Sequence, residues 1–563
     1  VVRRRASMQT MNSSAPISTV CVAEATTSSI KRMALTGESQ GLSPLLERID
    51  AAAHEYKDHP AILGPSISLT HGELQAISLE VAGFLQSQGI RKGDRIALYA
   101  QNGPEFVAIY LGIVRSGAVV VPVNLLIQTP EIVHIIRDAG VSGIITQESL
   151  DSKVREAHAI ASSDAFILTF AESNDPLANL APLRATGVDV SRLSFDPKED
   201  LVAILYTSGT TGFPKGAMLT HSNLASNTQS VHEAMCWRRG TDRVLVVLPM
   251  FHAFAATVGI LTPLTNGSAL IPVVRFEPDA VSLAIQRYQA TIFLGVPSIF
   301  GVLLKLPEDR VARFSSLRFA ISGGAALPVV LLESFQERFG LRIYEGDGPT
   351  ECSPVTCVNP IGGIQKPGTV GLPVPGVEMR IVDDSGDQCQ DGVVGEIAVR
   401  GPNVMKGYWN QPEETAAIMQ GEWLLTGDLG MRDSDGYFSI VDRKKDLIIV
   451  NGMNVYPRMV EEILHAISGV REVAVIGEVD DRHGEVPVAY VALETDAGMD
   501  ARQLRDHCRL ILGRHQMPKR FVILEALPRN AAGKILKREL RRQGELERGI
   551  DLQGAAESIT EIP

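Results

Sequence analysis

An α/β chain of more than one domain is predicted by three features: the length, a recurrence of short apolar runs separated by helical stretches, and two changes of texture near residues 371 and 447. At 563 residues the chain is too long for a single core. The runs LVAILYT (201–207), RVLVVLP (243–249), ATIFLGV (290–296) and LRFAISG (317–323) are continuous, apolar and rich in β-branched residues. Helical stretches such as PDAVSLAIQRYQ and PVVLLESFQERFG lie between them. Buried strands alternating with helices predict parallel βα sheets covered on both faces.

Taken in order, the first 20 residues, VVRRRASMQTMNSSAPISTV, are rich in Arg, Ser and Thr, and no acidic residue precedes Glu24. A transit peptide has that composition, but residues 1–40 read better as a disordered N-terminal extension or an upstream start, since Met8 and Met11 could each begin the protein. From about Leu46 helix and strand alternate: HGELQAISLEVAGFLQSQGI is an amphipathic helix stopped at Gly89, and DRIALYA is a buried strand. The segment 244–271 is the most apolar, yet it contains Pro249, His252, Pro263 and Asn266. It reads as strand, helix and strand rather than as the roughly 20 uninterrupted apolar residues of a membrane span. After about Gly371, VEMRIVDDSG and VGEIAVRG alternate with turn residues, as in a small antiparallel barrel. From about Leu447, the helix PRMVEEILHAIS, a hairpin-like VREVAVIGEVDDRHGEVPVAYVAL and the helix ARQLRDHCRLILG form an α+β unit long enough to fold alone. The divisions are therefore 1–40, a large domain 41–441, a small C-terminal domain 447–545 and a tail 546–563.

Composition excludes several functions. With 45% hydrophobic and 21% charged residues the chain is an ordinary globular protein. A formal charge of −12 disfavours nucleic acid as a partner, because a phosphate backbone needs a basic face. Six cysteines, Cys21, Cys236, Cys352, Cys357, Cys389 and Cys508, contain no C-x-x-C pair. They predict a reducing, cytoplasmic setting without structural zinc or a disulfide framework. Peripheral contact with a bilayer surface stays open, as does the choice between monomer and homodimer.

The chemistry centres on YTSGTTGFPKGAM at 206–218. Its glycines, hydroxyls and lysine suit phosphate, but it is not the G-x-x-x-x-G-K-[ST] loop: Pro214 stands where the second glycine belongs, and Gly216 follows Lys215. It follows a strand, at the carboxyl end where open α/β sheets bind ligands. Gly209, Gly212 and Gly216 would let backbone N–H groups approach an anion, and Thr207, Ser208, Thr210, Thr211 and Lys215 would add donors. A flexible linker is the alternative.

TSGTTGFPKG resembles the phosphate loop of the adenylate-forming superfamily, which comprises acyl-CoA synthetases, firefly luciferase and nonribosomal adenylation domains. Other motifs follow in that family's order: PMFH ending at His252, SGGAALP (322–328), GPTE (348–351), WLLTGD ending at Asp428, DRKKDLIIVNGMNVYP (442–457) and PRNAAGK ending at Lys534. The resemblance runs from about 46 to 545 and implies the adenylate-forming enzyme fold with a mobile C-terminal domain. It implies that ATP activates a carboxylic acid as acyl-AMP with release of pyrophosphate, and that a thiol then displaces AMP.

The resemblance also implies roles. Residues 207–216 would hold the β- and γ-phosphates. Thr350 would contact the α-phosphate, and Glu351 would bind Mg²⁺. Gly323, Gly324 and Ala325 would surround adenine, with Asp347 and Gly348. Asp428 and Arg443 would hold the ribose, Asp428 accepting from both hydroxyls. Lys534 would bridge the acid and the α-phosphate, and His252 would lie beside the acid and the thiol entry. Lys445 would sit in a hinge, 442–446, about which the small domain rotates, and Gly452, Met453 and Asn454 would line the CoA tunnel. Each motif has a plainer reading: a turn for T-G-D and for Thr350, an exposed carboxylate for Glu351, a core residue for His252, a solvated basic face for Lys534. Asp347 departs from the pattern, since an adenine-stacking aromatic usually stands there.

GMNVYPRMVEEIL is similar to the acyl-CoA synthetase form of its segment. GVPSIFGVLLKLP, with Ala253, Phe254 and Ala255, has no charge to meet an amino-acid ammonium. The expected activity is therefore an AMP-forming acid–thiol ligase acting on a medium- or long-chain fatty acid, with ATP and CoA as co-substrates; an aryl acid is the variant. One alternative is a fatty acyl-AMP ligase loading a carrier protein. Another, of a different class, is a nucleotide- or lipid-binding relative without turnover.

Overall fold

The recurrent βα runs sort into two large sheets rather than one. The structure, a computed structural model, describes residues 41, 43–65, 67–185, 190, 193–207, 214–494, 497–529 and 535–547; the extension 1–40 lies outside them. In a nine-stranded sheet, Ile343–Asp347, Phe319–Ser322, Ile292–Gly295, Arg243–Val246, Ala269–Pro272 and Pro60–Leu63 lie side by side in that order, every pair parallel. Parallel neighbours need long crossovers, and helices such as Pro278–Tyr288 and Val329–Phe339 supply them. Short antiparallel strands close both edges. These central strands are mostly apolar because both faces are covered: Val244, Leu245, Ile292, Phe293, Leu294 and Ile321 are all buried.

A seven-stranded sheet is built around Phe166–Phe170, Gly143–Gln147, Arg95–Tyr99, Val119–Pro122 and Leu201–Thr207, again parallel. The phosphate-loop segment leaves the carboxyl end of Leu201–Thr207, as expected. It returns as an antiparallel strand, Lys215–Thr220, rather than opening a helix. The helix His221–Ala234 comes one strand later.

Local chemistry accounts for the element ends. The helix His71–Ser87 begins at Thr70, whose hydroxyl accepts the Glu73 N–H at 3.2 Å while the Glu73 carboxylate accepts the Thr70 N–H at 2.8 Å. The segment 244–271 is strand, helix and strand, and its helical part, Ala255–Leu261, has π-type turns and is wholly buried. Among the described residues no helix is long and apolar enough to cross a membrane.

The alternating stretch after Gly371 forms a five-stranded antiparallel sheet of Glu378–Val382, Gly395–Arg400, Trp423–Arg432, Met419–Gln420 and Phe438–Arg443. The last unit packs its own sheet, Met453–Val455, Ile448–Val450, Gly484–Leu493, Val470–Asp480 and Arg520–Leu524, against the helices Pro457–His465 and Ala501–Arg509. It docks on the preceding strand through Arg458, whose backbone N–H donates to Asp442 at 2.8 Å and whose guanidinium donates to the Ile440 carbonyl at 2.5 Å.

Candidate active site

Two motifs and a segment outside any motif, all far apart in sequence, meet at the end of Leu201–Thr207. The Thr207 hydroxyl donates to Glu351 Oε1 at 3.4 Å, and the Tyr408 phenol donates to the same oxygen at 2.7 Å. Glu351 lies in the one-turn segment Thr350–Cys352, which follows the strand Ile343–Asp347. Its backbone carbonyl accepts the Met405 N–H at 2.8 Å. A cavity of about 320 Å³ opens beside it, lined by Pro349, Glu351, Tyr408, Gly427, Glu396 and Lys444. A larger, more open groove on the last unit, lined by Arg471, Leu527 and Arg542 among others, contains none of the motif residues.

Asp428 and Arg443 stand directly opposite on adjacent strands, and Arg443 Nε lies 2.6 Å from Asp428 Oδ1. Asp428 is 4% exposed. Burial works to lower the Arg443 pKa, but Asp428, Asp347, Glu351 and Asp446 together raise it. Three of the expected site carboxylates are therefore within electrostatic reach of one guanidinium. The T-G-D turn is held by Glu396, which accepts the Gly427 N–H at 3.0 Å with one oxygen and pairs with Lys444 at 3.0 Å with the other.

On the other side, Gly323 abuts the aromatic ring two residues after His252: a Cβ on Gly323 would lie 3.3 Å from Phe254 Cε1. His252 is half-buried, and its Nδ1 accepts the Phe254 N–H at 3.3 Å. Gly324 and Ala325 are exposed. Gly348 is required by packing, because a Cβ there would come within 1.5 Å of the Pro354 carbonyl oxygen.

Lys215 sits differently from the expectation. Its ammonium is buried against Glu414 Oε2 at 2.5 Å and lies 5.5 Å from the Tyr408 ring centroid. Lys445 is exposed at the surface, and desolvation by its surroundings, then Arg443, lower its pKa. Its neighbour Asp446 pairs with Arg541 of the final helix at 2.6 Å. Gly452, Met453 and Asn454 are exposed on the hairpin joining Ile448–Val450 to Met453–Val455. Positive φ at Asn451 (51°) and Gly452 (78°) makes this a two-residue turn of the Asn-Gly type, so a hairpin alone accounts for that glycine. Ser208, Gly209, Thr210, Thr211, Gly212 and Lys534 lie outside the described residues.

Four functional neighbours escape sequence reading: Tyr408, Glu414, Glu396 and Glu345. The signal for Glu345 is an acid at a buried position in the middle of the strand IYEGD. It is 3% exposed, and one carboxylate oxygen accepts the Leu327 N–H at 2.9 Å, tying the 322–328 loop to that strand. Burial pushes its pKa from 4.5 up to about 7, against the Leu327 N–H and Arg458. Folding therefore favours the protonated acid. The associated stability is fully present below about pH 4.5 and is lost as pH rises to about 7, a difference of about 3 kcal/mol. Glu345→Gln keeps the acceptor and removes the charge, so its melting temperature should exceed that of wild type increasingly from pH 5 to pH 8. Parallel melting curves across that range would contradict a buried, titrating Glu345.

No group of three or more His, Cys, Asp or Glu side chains able to hold a metal occurs among the described residues. Glu351 alone suits Mg²⁺, which binds through one or two carboxylates together with phosphates and water. One of its oxygens is oriented by two hydroxyls, and the other has no protein donor among the described residues.

A family described as AMP-binding enzyme matches residues 49–409, and one described as AMP-binding enzyme C-terminal domain matches 459–534. The chain is similar to a long-chain-fatty-acid–CoA ligase of Bacillus subtilis (strain 168), 36% identical over 524 residues, 87% of this chain and 92% of that protein. It is also 36% identical over 478 residues to a feruloyl-CoA synthase of Amycolatopsis sp, covering 84% and 94% of the two chains. The solved structure of ATP-bound MatB from Rhodopseudomonas palustris shares the fold at a TM-score of 0.82 and 32% identity, over 89% of this chain and 99% of that one.

Proposed function

The chain belongs to the AMP-binding enzyme family, and on that premise we propose that the residues gathered around Glu351 and Asp428 activate a fatty acid with ATP and pass it to CoA. The enzyme is an AMP-forming acid–thiol ligase with the adenylate-forming fold; its acid is a medium- or long-chain fatty acid. The observation that carries the reading is the convergence on Arg443 of Asp428, Asp347 and Glu351, with Thr207 bound to Glu351.

The division of labour follows from charge. A carboxylate is a poor electrophile, and bringing it to a triphosphate sets anion against anion. Thr207, Ser208, Gly209, Thr210, Thr211 and Gly212 would receive the β- and γ-phosphates. Lys215 would stand behind them, held by Glu414. Thr350 would reach the α-phosphate. Mg²⁺ on Glu351 would neutralise phosphate charge. Asp428 would take both ribose hydroxyls, steadied by Arg443. Gly323, Gly324 and Ala325, with Asp347 and Gly348, would frame adenine. Lys534 would hold the acid against the α-phosphate, so that its oxygen displaces pyrophosphate. In the second step the CoA sulfur attacks the carbonyl beside His252, and AMP leaves.

We place the boundary between large and small domains at the hinge 442–446, with Lys445 in it, and the CoA passage along Gly452, Met453 and Asn454. The described cysteines, Cys236, Cys352, Cys357, Cys389 and Cys508, form no disulfide with one another, in keeping with a cytoplasmic setting.

Asp347 cannot stack on adenine, and a ring stacked on a base contributes about 1–3 kcal/mol. Asp347→Tyr should therefore tighten ATP binding about tenfold. The change touches only the side chain, since the Asp347 carbonyl makes the contacts to Thr356. Calorimetric titration with ATP checks it, and an unchanged or weaker affinity refutes it. The reaction itself is tested by mass spectrometry of products from ATP, Mg²⁺, CoA and a pool of acids from acetate to long-chain fatty acids with benzoates. A dominant fatty acyl-CoA is expected. Aryl-CoA alone would move the substrate to the feruloyl type, and AMP without thioester would overturn CoA as the acceptor.

A further inference from the structure

Segment 406–409 is zipped onto the strand that leaves the phosphate loop. The Lys406 and Trp409 N–H groups donate to the Met218 and Gly216 carbonyls at 3.0 and 2.8 Å, and Tyr408 stands opposite Ala217. Three further restraints fix the Tyr408 side chain and its turn. Its backbone N–H donates to Thr415 Oγ1 at 2.8 Å, its ring packs beneath the Lys215 ammonium, and that ammonium is pinned by Glu414 from the helix Pro412–Ile418. What emerges is a single aimed donor, the phenol on Glu351 Oε1 at 2.7 Å.

We infer that Tyr408 is a positioning residue for the Glu351 carboxylate: its phenol takes one oxygen and so presents the other to the metal–phosphate group of ATP, while Lys215 and Glu414 lock the ring. The inference rests on the proposed role of Glu351. It makes the lysine of the phosphate loop act partly through its neighbour: the ammonium stiffens the clasp that aims Glu351. Orientation matters because a carboxylate free to rotate must be ordered each time metal and phosphate arrive, and preorganised ligands avoid that cost.

The test compares wild type with Tyr408→Phe, which keeps the ring under Lys215 and removes only the donor. Calorimetric titrations of ATP at rising Mg²⁺ give the metal concentration for half-maximal tightening. This concentration should rise about tenfold in Tyr408→Phe, with metal-free ATP binding within twofold of wild type. Thioester formation from a supplied acyl-adenylate and CoA should stay within twofold. Glu414→Gln, on a partly exposed helix, should shift the metal dependence the same way by about threefold, and it keeps the inference testable if Tyr408→Phe folds poorly. Unchanged metal dependence in both variants overturns the inference. Equal weakening of ATP binding with and without Mg²⁺ does so too, because it marks general damage. The binding readout does not require turnover, so wild type that binds ATP with Mg²⁺ yet forms no adenylate from any acid would sink the proposed function and leave Tyr408's role standing.

Discussion

Replacing Asp428 with Ala should lower kcat/KM for ATP by at least a hundredfold. Asp428 is nearly buried and is the only carboxylate paired to Arg443 by a direct contact among the described ion pairs, at 2.6 Å. A carboxylate accepting two ribose hydroxyls makes two charge-assisted bonds, each worth about 1.5–3 kcal/mol. Losing both removes about 3 kcal/mol or more of transition-state binding, which is the hundredfold. The same change strands the guanidinium. Breaking a fully buried pair costs about 3–5 kcal/mol, but the Arg443 side chain is 40% exposed and water compensates part of it, so a stability loss of about 2 kcal/mol is expected. Asp428→Asn keeps an acceptor and should fall between wild type and Asp428→Ala. Pyrophosphate release against ATP concentration measures all three, and a loss below fivefold in Asp428→Ala would mean that the ribose is held elsewhere.

Gly348→Ala should be the most damaging single methyl addition at the site. The added Cβ would sit 1.5 Å from the Pro354 carbonyl oxygen, 2.7 Å from its carbon and 2.9 Å from the Thr356 nitrogen. All three are backbone atoms, and the segment that carries them cannot easily retreat. Thr356 N–H is bound to the Asp347 carbonyl at 3.0 Å, while the buried amide of Asn227 clasps Val355 at 2.8 and 3.2 Å. Relief must therefore move Gly348 itself, and with it Thr350 and Glu351. Destabilisation beyond about 4 kcal/mol is expected, read as a large fall in melting temperature or loss of soluble protein. Any folded fraction should bind ATP with Mg²⁺ poorly. A variant that melts and binds like wild type would show that the 348–354 backbone can part.

The elements most legible in the sequence were those written in local pattern. LVAILYT, ATIFLGV and LRFAISG are apolar enough to be read as covered strands, and each is one. Thr70 and Glu73, at the spacing of a capping box, mark the start of the helix His71–Ser87. The Asn451–Gly452 pair, by contrast, is a strong hairpin signal that the family motif around it obscured. The contact of Glu351 with Tyr408 had no local signature at all: GYWNQPEET reads as an ordinary entry into a short helix. Glu345 was visible as an acid in an apolar strand, but its protonation depends on how completely the surrounding chain removes water from it.

What the sequence determined alone is the order of its motifs, the kind of element each lies on and, through their resemblance, the family and the chemistry. These are properties of neighbours along the chain, where periodicity, capping and turn residues act within a few positions. What only the tertiary structure decided is the partnering. It divided the βα runs between two sheets, paired Lys215–Thr220 antiparallel to Leu201–Thr207 and set Lys215 on Glu414, 199 positions away. Such contacts follow from packing and from charges seeking partners once water has gone, and no spacing along the chain encodes them.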